Sequence, residues 1–179
     1  MRIKKVLFQI NKHISGFFVG GGIGKVFNIL SFNKYMTAKV KHMKKIGINV
    51  ESPQRYISSD VYFDGHDYSL INIEKDVVIS REVMFLTHDY SLGRAMSACG
   101  IKIQEGAEKT PHFVKPIYIG ESTFIGARAS ILPGTNIGKC CIIGACAVVK
   151  GTIPDYSIVI GNPAKVVGDV REWVQKQTE

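Results

Sequence analysis

Of the five histidines in this 179-residue chain, His88 stands where a side chain is best placed to do chemistry. It belongs to the segment Phe85-Leu86-Thr87-His88-Asp89, where a run of short β-prone clusters ends and a long aperiodic stretch begins. An imidazole with an ordinary pKa of about 6.5 exchanges a proton readily at neutral pH, so it suits general acid–base work. Two carboxylates are candidates to serve it: Asp89 beside it, and Asp64, which precedes Gly65 in the segment VYFDG. Either could orient an imidazole or accept hydrogen bonds from a hydroxylated ligand, and Asp64 reads equally well as the aspartate of a turn. The sequence holds no G-x-S-x-G elbow, the mark of one class of covalent nucleophile. Cys99, Cys140, Cys141 and Cys146 form no CxxC pair and read as reduced, structural thiols. His13 and His42 lie in a basic segment, while His66 and His112 fall on loops and are weaker candidates for ligand contacts.

The elements that must position His88 announce themselves further on, between Ile119 and Pro154. Ile119, Ile125, Ile131, Ile137, Ile143 and Val149 recur every six residues, and four of these six are followed directly by Gly. Neither a helix of period 3.6 nor a strand of period 2 requires a six-residue beat. A fixed repeat of this length predicts a parallel β-helix, in which short strands wind about an axis and each coil packs on the next. The beat has an earlier, irregular block at Ile73, Ile79 and Phe85, breaks at Leu86, and resumes at Ile119. Residues 87–116 show no period, and so long a structureless loop in a compact domain is usually functional.

Composition narrows the partners. Residues 1–50 carry ten Lys or Arg and no Asp or Glu, whereas the other 129 residues carry thirteen basic and fifteen acidic side chains. The net charge of +8 therefore belongs to the N-terminal segment. A phosphate-tracking surface would be basic over the folded domain too, so nucleic acid is not an expected partner. Residues 1–12 alternate basic and apolar types, and the apolar stretch from His13 to Phe32 is broken by five glycines, which argues against a membrane-spanning helix. No cleavable leader is read at the N-terminus. Lys25 to Lys45 predicts a helix with Val26, Leu30, Asn33 and Thr37 on one side, widened by Phe27, Ile29 and Tyr35, and Gly47 as its stop. It reads as a cap on the open end of the β-helix, with contact to an anionic membrane as the alternative. Three parts follow: a basic helical segment at 1–50, the β-helix at 51–168 and a C-terminal helix at 169–179. In the last, Trp173 and Val174 are expected to dock the helix on the body.

The hexads, the FLTHD segment closing the first block, the long stretch after it and IGNPAKVV near the end, in this order, resemble the hexapeptide-repeat acyltransferases. Within them the chain is similar to the maltose/galactoside O-acetyltransferase branch, especially members that serve surface-polysaccharide biosynthesis. The resemblance covers roughly residues 50–168. It implies an all-β fold, a left-handed parallel β-helix with three hexads per coil, an exception to the usual right-handed crossover. On that geometry Ile119 stacks with Ile137, Ile125 with Ile143 and Ile131 with Val149, and an Ala or Cys two positions after the Gly sits in a tight corner. It also implies a homotrimer with active sites between neighbouring prisms.

The resemblance further implies the chemistry. Acetyl-CoA would be the co-substrate, with no metal expected, and His88 the general base for direct attack by a hydroxyl of a small-molecule or glycan acceptor. Asp64 falls where galactoside-type relatives carry an acceptor-binding Asn, and Asp89 is a second acceptor-side candidate. For coenzyme A the matching positions are Ala127, Gly144 and Ala145, whose backbone amides would meet the pantetheine arm. Lys150 is displaced by one residue from the family's usual lysine, and Lys165 in GNPAK is the candidate for a phosphate. The acceptor is open among a polysaccharide precursor, a free sugar, a nucleotide sugar and a xenobiotic such as an antibiotic. A γ-type carbonic anhydrase would need three histidines converging on a metal, and His66, His88 and His112 lack the paired HxxxxH spacing. A non-catalytic trimeric module is the remaining reading. The expected location is cytoplasmic, with the inner face of the membrane as the place for the basic segment.

Overall fold

The structure is a computed structural model that describes residues 22–65, 67–103 and 110–179, with side chains of the first helix from Phe32 onward. The amphipathic reading of residues 1–12, the glycine-broken stretch up to residue 21, His13, His66 and the side chains of Val26, Phe27, Ile29 and Leu30 lie outside the described residues. The chain divides into two compact units, Met1–Lys39 and Val40–Glu179. Helix α1 (Gly22–Lys45) begins in the first and ends in the second, and Gly47 follows it at φ +105° as the expected left-handed stop. Its buried positions are Met36, Val40 and Met43. Asn33 and Thr37, expected on the apolar side, are exposed and satisfy each other instead, the Thr37 hydroxyl donating to the Asn33 carbonyl at 2.8 Å. Among the described residues no helix is long and apolar enough to cross a membrane.

The second unit is a parallel β-helix of three faces. Strands β1 (Asn49–Val50), β2 (Tyr56–Ile57) and β3 (Tyr62–Phe63) make its first coil, and β4 (Ile71–Ile73), β5 (Val78–Ile79) and β6 (Met84–Phe85) its second. The chain then leaves as the hairpin strand β7 (His88–Asp89), helix α2 (Ser91–Ala98) and strand β8 (Phe113–Val114). It returns as β9 (Ile117–Ile119), β10 (Phe124–Ile125) and β11 (Ser130–Ile131), then β12 (Asn136–Ile137), β13 (Ile142–Ile143) and β14 (Val148–Val149). A partial fifth coil adds β15 (Thr152–Ile153) and β16 (Ser157–Ile160). Face A stacks β1-β4-β9-β12-β15, face B runs through β2-β5-β10-β13-β16, and face C through β3-β6-β11-β14.

The expected register is the observed one: Ile119 pairs with Ile137, Ile125 with Ile143 and Ile131 with Val149. The earlier block continues the same columns, Ile73 under Ile119, Ile79 under Ile125 and Phe85 under Ile131. Each column is a buried apolar ladder, and burial of each such side chain contributes about 1.5–3 kcal/mol. The glycine after the aliphatic residue has a steric cause. A Cβ on Gly126 would lie 2.6 Å from the Ala145 nitrogen, and one on Gly120 would lie 2.5 Å from the Gly138 carbonyl carbon.

Two expectations are corrected. At the corners Ser122, Arg128, Cys140 and Cys146 take φ of 56°, 61°, 54° and 60°, so their side chains turn outward. The corner interior is filled by the next residue, Thr123, Ala129, Cys141 or Ala147, and not by the residue two after the Gly. Burial pushes the Cys141 thiol up from its ordinary pKa, and its Sγ donates to the Pro154 carbonyl at 3.1 Å. At the C-terminus, β17 (Lys165–Asp169) pairs antiparallel with β16 and leads into α3 (Val170–Thr178). Asp169 caps α3 by accepting from the Arg171 backbone N–H at 2.7 Å, and the Arg171 guanidinium lies over the Tyr156 ring at 4.5 Å. The helix is tied at its base only: Trp173 and Val174 are 47% and 46% exposed and do not dock on the body.

Candidate active site

The site is built where face C turns toward face A. On faces A and B the residue after the buried aliphatic is Gly in the third and fourth coils, but on face C that position holds Asp64, Leu86, Leu132 and Lys150 in successive coils. In the third and fourth coils this edge therefore carries side chains where the other two close on bare backbone. At this edge the hairpin departs, held by the antiparallel pairs His88 with Val114 and Asp89 with Phe113, and by the Lys115 N–H donating to the Thr87 carbonyl at 3.0 Å.

Asp64 is 2% exposed, and its Oδ2 gathers the start of the hairpin. The Thr87 N–H donates to it at 3.0 Å, and the Thr87 hydroxyl and the His88 N–H each donate at 3.3 Å. The same oxygen faces Nδ1 of His88 as an ion-pair partner. A carboxylate at Nδ1 keeps the proton on that nitrogen and leaves Nε2 as the basic one. The His88 side chain is 26% exposed, so part of the ring reaches the surface. Asp89 points elsewhere. Its carboxylate accepts from the Ser91 N–H at 2.8 Å, and this bond, first, with the nearby Lys150 holds it below the usual carboxylate range. The orienting carboxylate is thus Asp64.

The aperiodic stretch is not structureless. Helix α2 and the hairpin fold it back on itself, with Gly93 buried in the helix. Tyr90 packs edge-on to His88, ring centroids 5.0 Å apart at 74°, and stacks on His112 at 4.5 Å and 29°. Tyr90 had no signal in the sequence beyond its place two residues after His88. Among the described residues no three His, Cys, Asp or Glu side chains cluster in a way suited to a metal ion.

The candidate positions for coenzyme A fall into two groups. Lys150 lies on the His88 edge, two coils further on, or about 10 Å along at the usual strand spacing. Ala127, Gly144 and Ala145 lie on the other edge of face C, where face B turns into it. Lys165 pairs with Ile160 just above them. One prism does not bring the two edges together. The second edge is nonetheless suited to an extended ligand: Ala127 is half-buried, Ala145 is exposed, and among the described residues neither amide N–H donates to a backbone carbonyl.

Comparison with known proteins agrees with the fold. Residues 116–151 match the profile of the bacterial transferase hexapeptide (six repeats) family. A protein of Mycobacterium tuberculosis described as a probable acetyltransferase is 58% identical over 52 residues, which is 29% of this chain and 17% of that protein. The chain thus aligns with about a sixth of that relative's length. Among solved structures, a hexapeptide-repeat acetyltransferase of Vibrio cholerae in complex with acetyl coenzyme A superposes with a TM-score of 0.53 at 23% identity, over 69% of this chain and 61% of that one. A maltose O-acetyltransferase of Clostridium difficile superposes at 0.50 and 20% identity, over 72% of both chains. The fold is the left-handed parallel β-helix of hexapeptide-repeat proteins.

Proposed function

We propose that this chain is an acetyl-CoA-dependent O-acetyltransferase that acts on a saccharide hydroxyl in surface-polysaccharide or other glycan biosynthesis, with His88 as general base. The observation that carries this reading is the buried Asp64 carboxylate set against Nδ1 of His88 at the break of the hexad repeat. That pair orients an imidazole for proton transfer, and a fold shared with an acetyl-CoA-bound protein and a maltose O-acetyltransferase supplies the class of reaction.

In the proposed mechanism His88 Nε2 takes the proton of the acceptor hydroxyl as its oxygen attacks the thioester carbonyl. The carbon–sulfur bond then breaks, and the proton passes from His88 to the departing thiolate, giving an ester and free coenzyme A. Acetyl-CoA supplies an already activated acyl group, so a covalent enzyme nucleophile is unnecessary. The amide N–H groups of Ala127 and Ala145 are the donors for the pantetheine arm or the oxyanion, and Lys165 and Lys150 are the candidates for phosphate. Because these groups lie on two edges of face C, the reading includes a homotrimer in which one prism's His88 edge meets its neighbour's Ala127 edge. Tyr62 and Met84, 53% and 39% exposed on face C, favour a partner on that face. Exposed Lys34, Lys41, Lys44 and Lys45 on α1 favour contact with an anionic membrane at about 1 kcal/mol per cation, which suits a lipid-linked acceptor.

The test is a screen of sugars, nucleotide sugars, glycan precursors and aminoglycoside-type antibiotics with acetyl-CoA, read by acetyl mass shift and release of free thiol. His88→Ala is expected to lower turnover at least ~100-fold, the usual scale for losing a general base. A folded His88→Ala protein with full activity overturns the mechanism.

A further inference from the structure

Asp64 faces the His88 imidazole at Nδ1. The hairpin supplies a second restraint. Pairing of His88 with Val114 and of Asp89 with Phe113 brings Tyr90 and His112 to the same end of the two strands. There the Tyr90 ring meets His88 at 5.0 Å and 74°, inside the range of favourable edge-to-face ring pairs. Tyr90 is itself held, stacked on His112 at 4.5 Å. His112 is fixed in turn, because its Nδ1 lies 2.8 Å from the Thr110 carbonyl oxygen, a partner to which only an N–H can donate. Thr110 and Pro111 press on α2 at Gly93, where an added Cβ would lie 2.3 Å from Thr110 Cγ2 and 2.9 Å from the Pro111 carbonyl oxygen.

We propose that Tyr90 and His112 are positioning residues that hold the His88 imidazole in its base-competent orientation, through a packed line running back to Gly93. The proposal rests on the reading of His88 as the general base. It gives the excursion between the two hexad blocks a purpose. The backbone of the β-helix sets where His88 begins, and the excursion sets how its ring stands. Among the described residues, the charged and titratable groups placed about the imidazole include Asp64 at Nδ1, Tyr90 against the ring, Asp89 beside it with Lys150 near that carboxylate, and His112 beyond Tyr90. The restraint on His88 is the Tyr90 ring contact, so Tyr90→Phe should preserve it, whereas His112 also needs the hydrogen bond to Thr110 that a phenylalanine cannot make.

The experiment compares His88→Ala, Tyr90→Ala, Tyr90→Phe, His112→Ala and His112→Phe in the full chain. It measures kcat and KM, thermal midpoints and the 15N ring shifts of His88. Tyr90→Ala and His112→Ala are expected to lower kcat about 10-fold with KM little changed, the scale of a misoriented catalytic group. The His88 ring shifts should report more than one ring orientation in these two variants, while Tyr90→Phe keeps the wild-type shifts and most of the activity and His112→Phe falls between His112→Ala and the wild type. Gly93→Ala should behave like the alanine pair if it folds. An inactive His88→Ala with wild-type kcat in Tyr90→Ala and His112→Ala overturns the positioning role and leaves the base intact. A Tyr90→Phe variant as impaired as Tyr90→Ala also overturns it, since the hydroxyl would then act directly on substrate. A fully active His88→Ala removes both readings.

Discussion

At the residue scale, Asp64 is the group on which the site turns. Its buried Oδ2 faces three donors from Thr87 and His88 besides the His88 ring nitrogen, so the carboxylate fixes the backbone at the edge and, in the proposed mechanism, the tautomer of the base. These two roles separate by substitution. Asp64→Asn keeps the shape and a carbonyl oxygen for the Thr87 N–H, but it cannot stabilise the imidazolium that forms as the proton moves. Its kcat is expected to fall at least ~10-fold with the thermal midpoint nearly unchanged. Asp64→Ala should lose activity and also about 1–3 kcal/mol of stability, because buried N–H groups are left without their acceptor. Steady-state kinetics beside thermal unfolding tells the cases apart, and an active Asp64→Asn would confine Asp64 to a structural role. In the sequence this residue stayed open between a turn, an acceptor contact and an orienting carboxylate. The six-residue spacing does not carry from Phe63 to Ile73 in the sequence, and the register of β3 on β6 emerges only when Phe63 is laid over Phe85.

At the scale of elements, the columns of the β-helix were legible in advance because the second, third and fourth coils meet the same restraint, one buried apolar residue per face. The glycines obey an equally local rule, set by a neighbouring coil that leaves no room for a Cβ. Gly126→Ala is therefore expected to cost about 1–3 kcal/mol, read as a lower unfolding midpoint, because its neighbours are backbone atoms of Ile143, Gly144 and Ala145 that cannot rotate away. An unchanged midpoint would show that the coils can part without penalty. The places where this rule lapses also carried a signal: the non-glycine Leu132 and Lys150 mark the edge that bears His88. What periodicity could not show is the order inside residues 87–116. An eight-residue helix with a glycine on its buried side has too few apolar residues to beat at 3.6, and ring contacts such as Tyr90 on His112 leave no spacing rule. The exposed Trp173 misled for a related reason: a single apolar residue on a short helix does not by itself say that the body packs against it.

At the scale of the whole molecule, a single prism holds half of the proposed site on each side of face C. Asp64, His88 and Lys150 stand on one edge, and Ala127, Ala145 and Lys165 serve the other. A base on one edge cannot serve a thioester on the other across the width of a sheet, so the proposed chemistry requires a second copy of the chain. This requirement predicts complementation between two inactive variants. His88→Ala removes the base but keeps the amide edge. Ala145→Trp is expected to block that edge with an indole, while leaving the core untouched because Ala145 is exposed. Each variant alone should be inactive. Refolded together or co-expressed at equal amounts, they should recover about a quarter of wild-type turnover, since random assortment in a ring gives one interface in four an intact His88 from one protomer and an intact Ala145 from the next. Light scattering on the same mixtures should report three chains per particle. Recovery with that mass supports the shared site, whereas a mixture that stays inactive although each variant assembles as a trimer would mean that both edges must act within one prism.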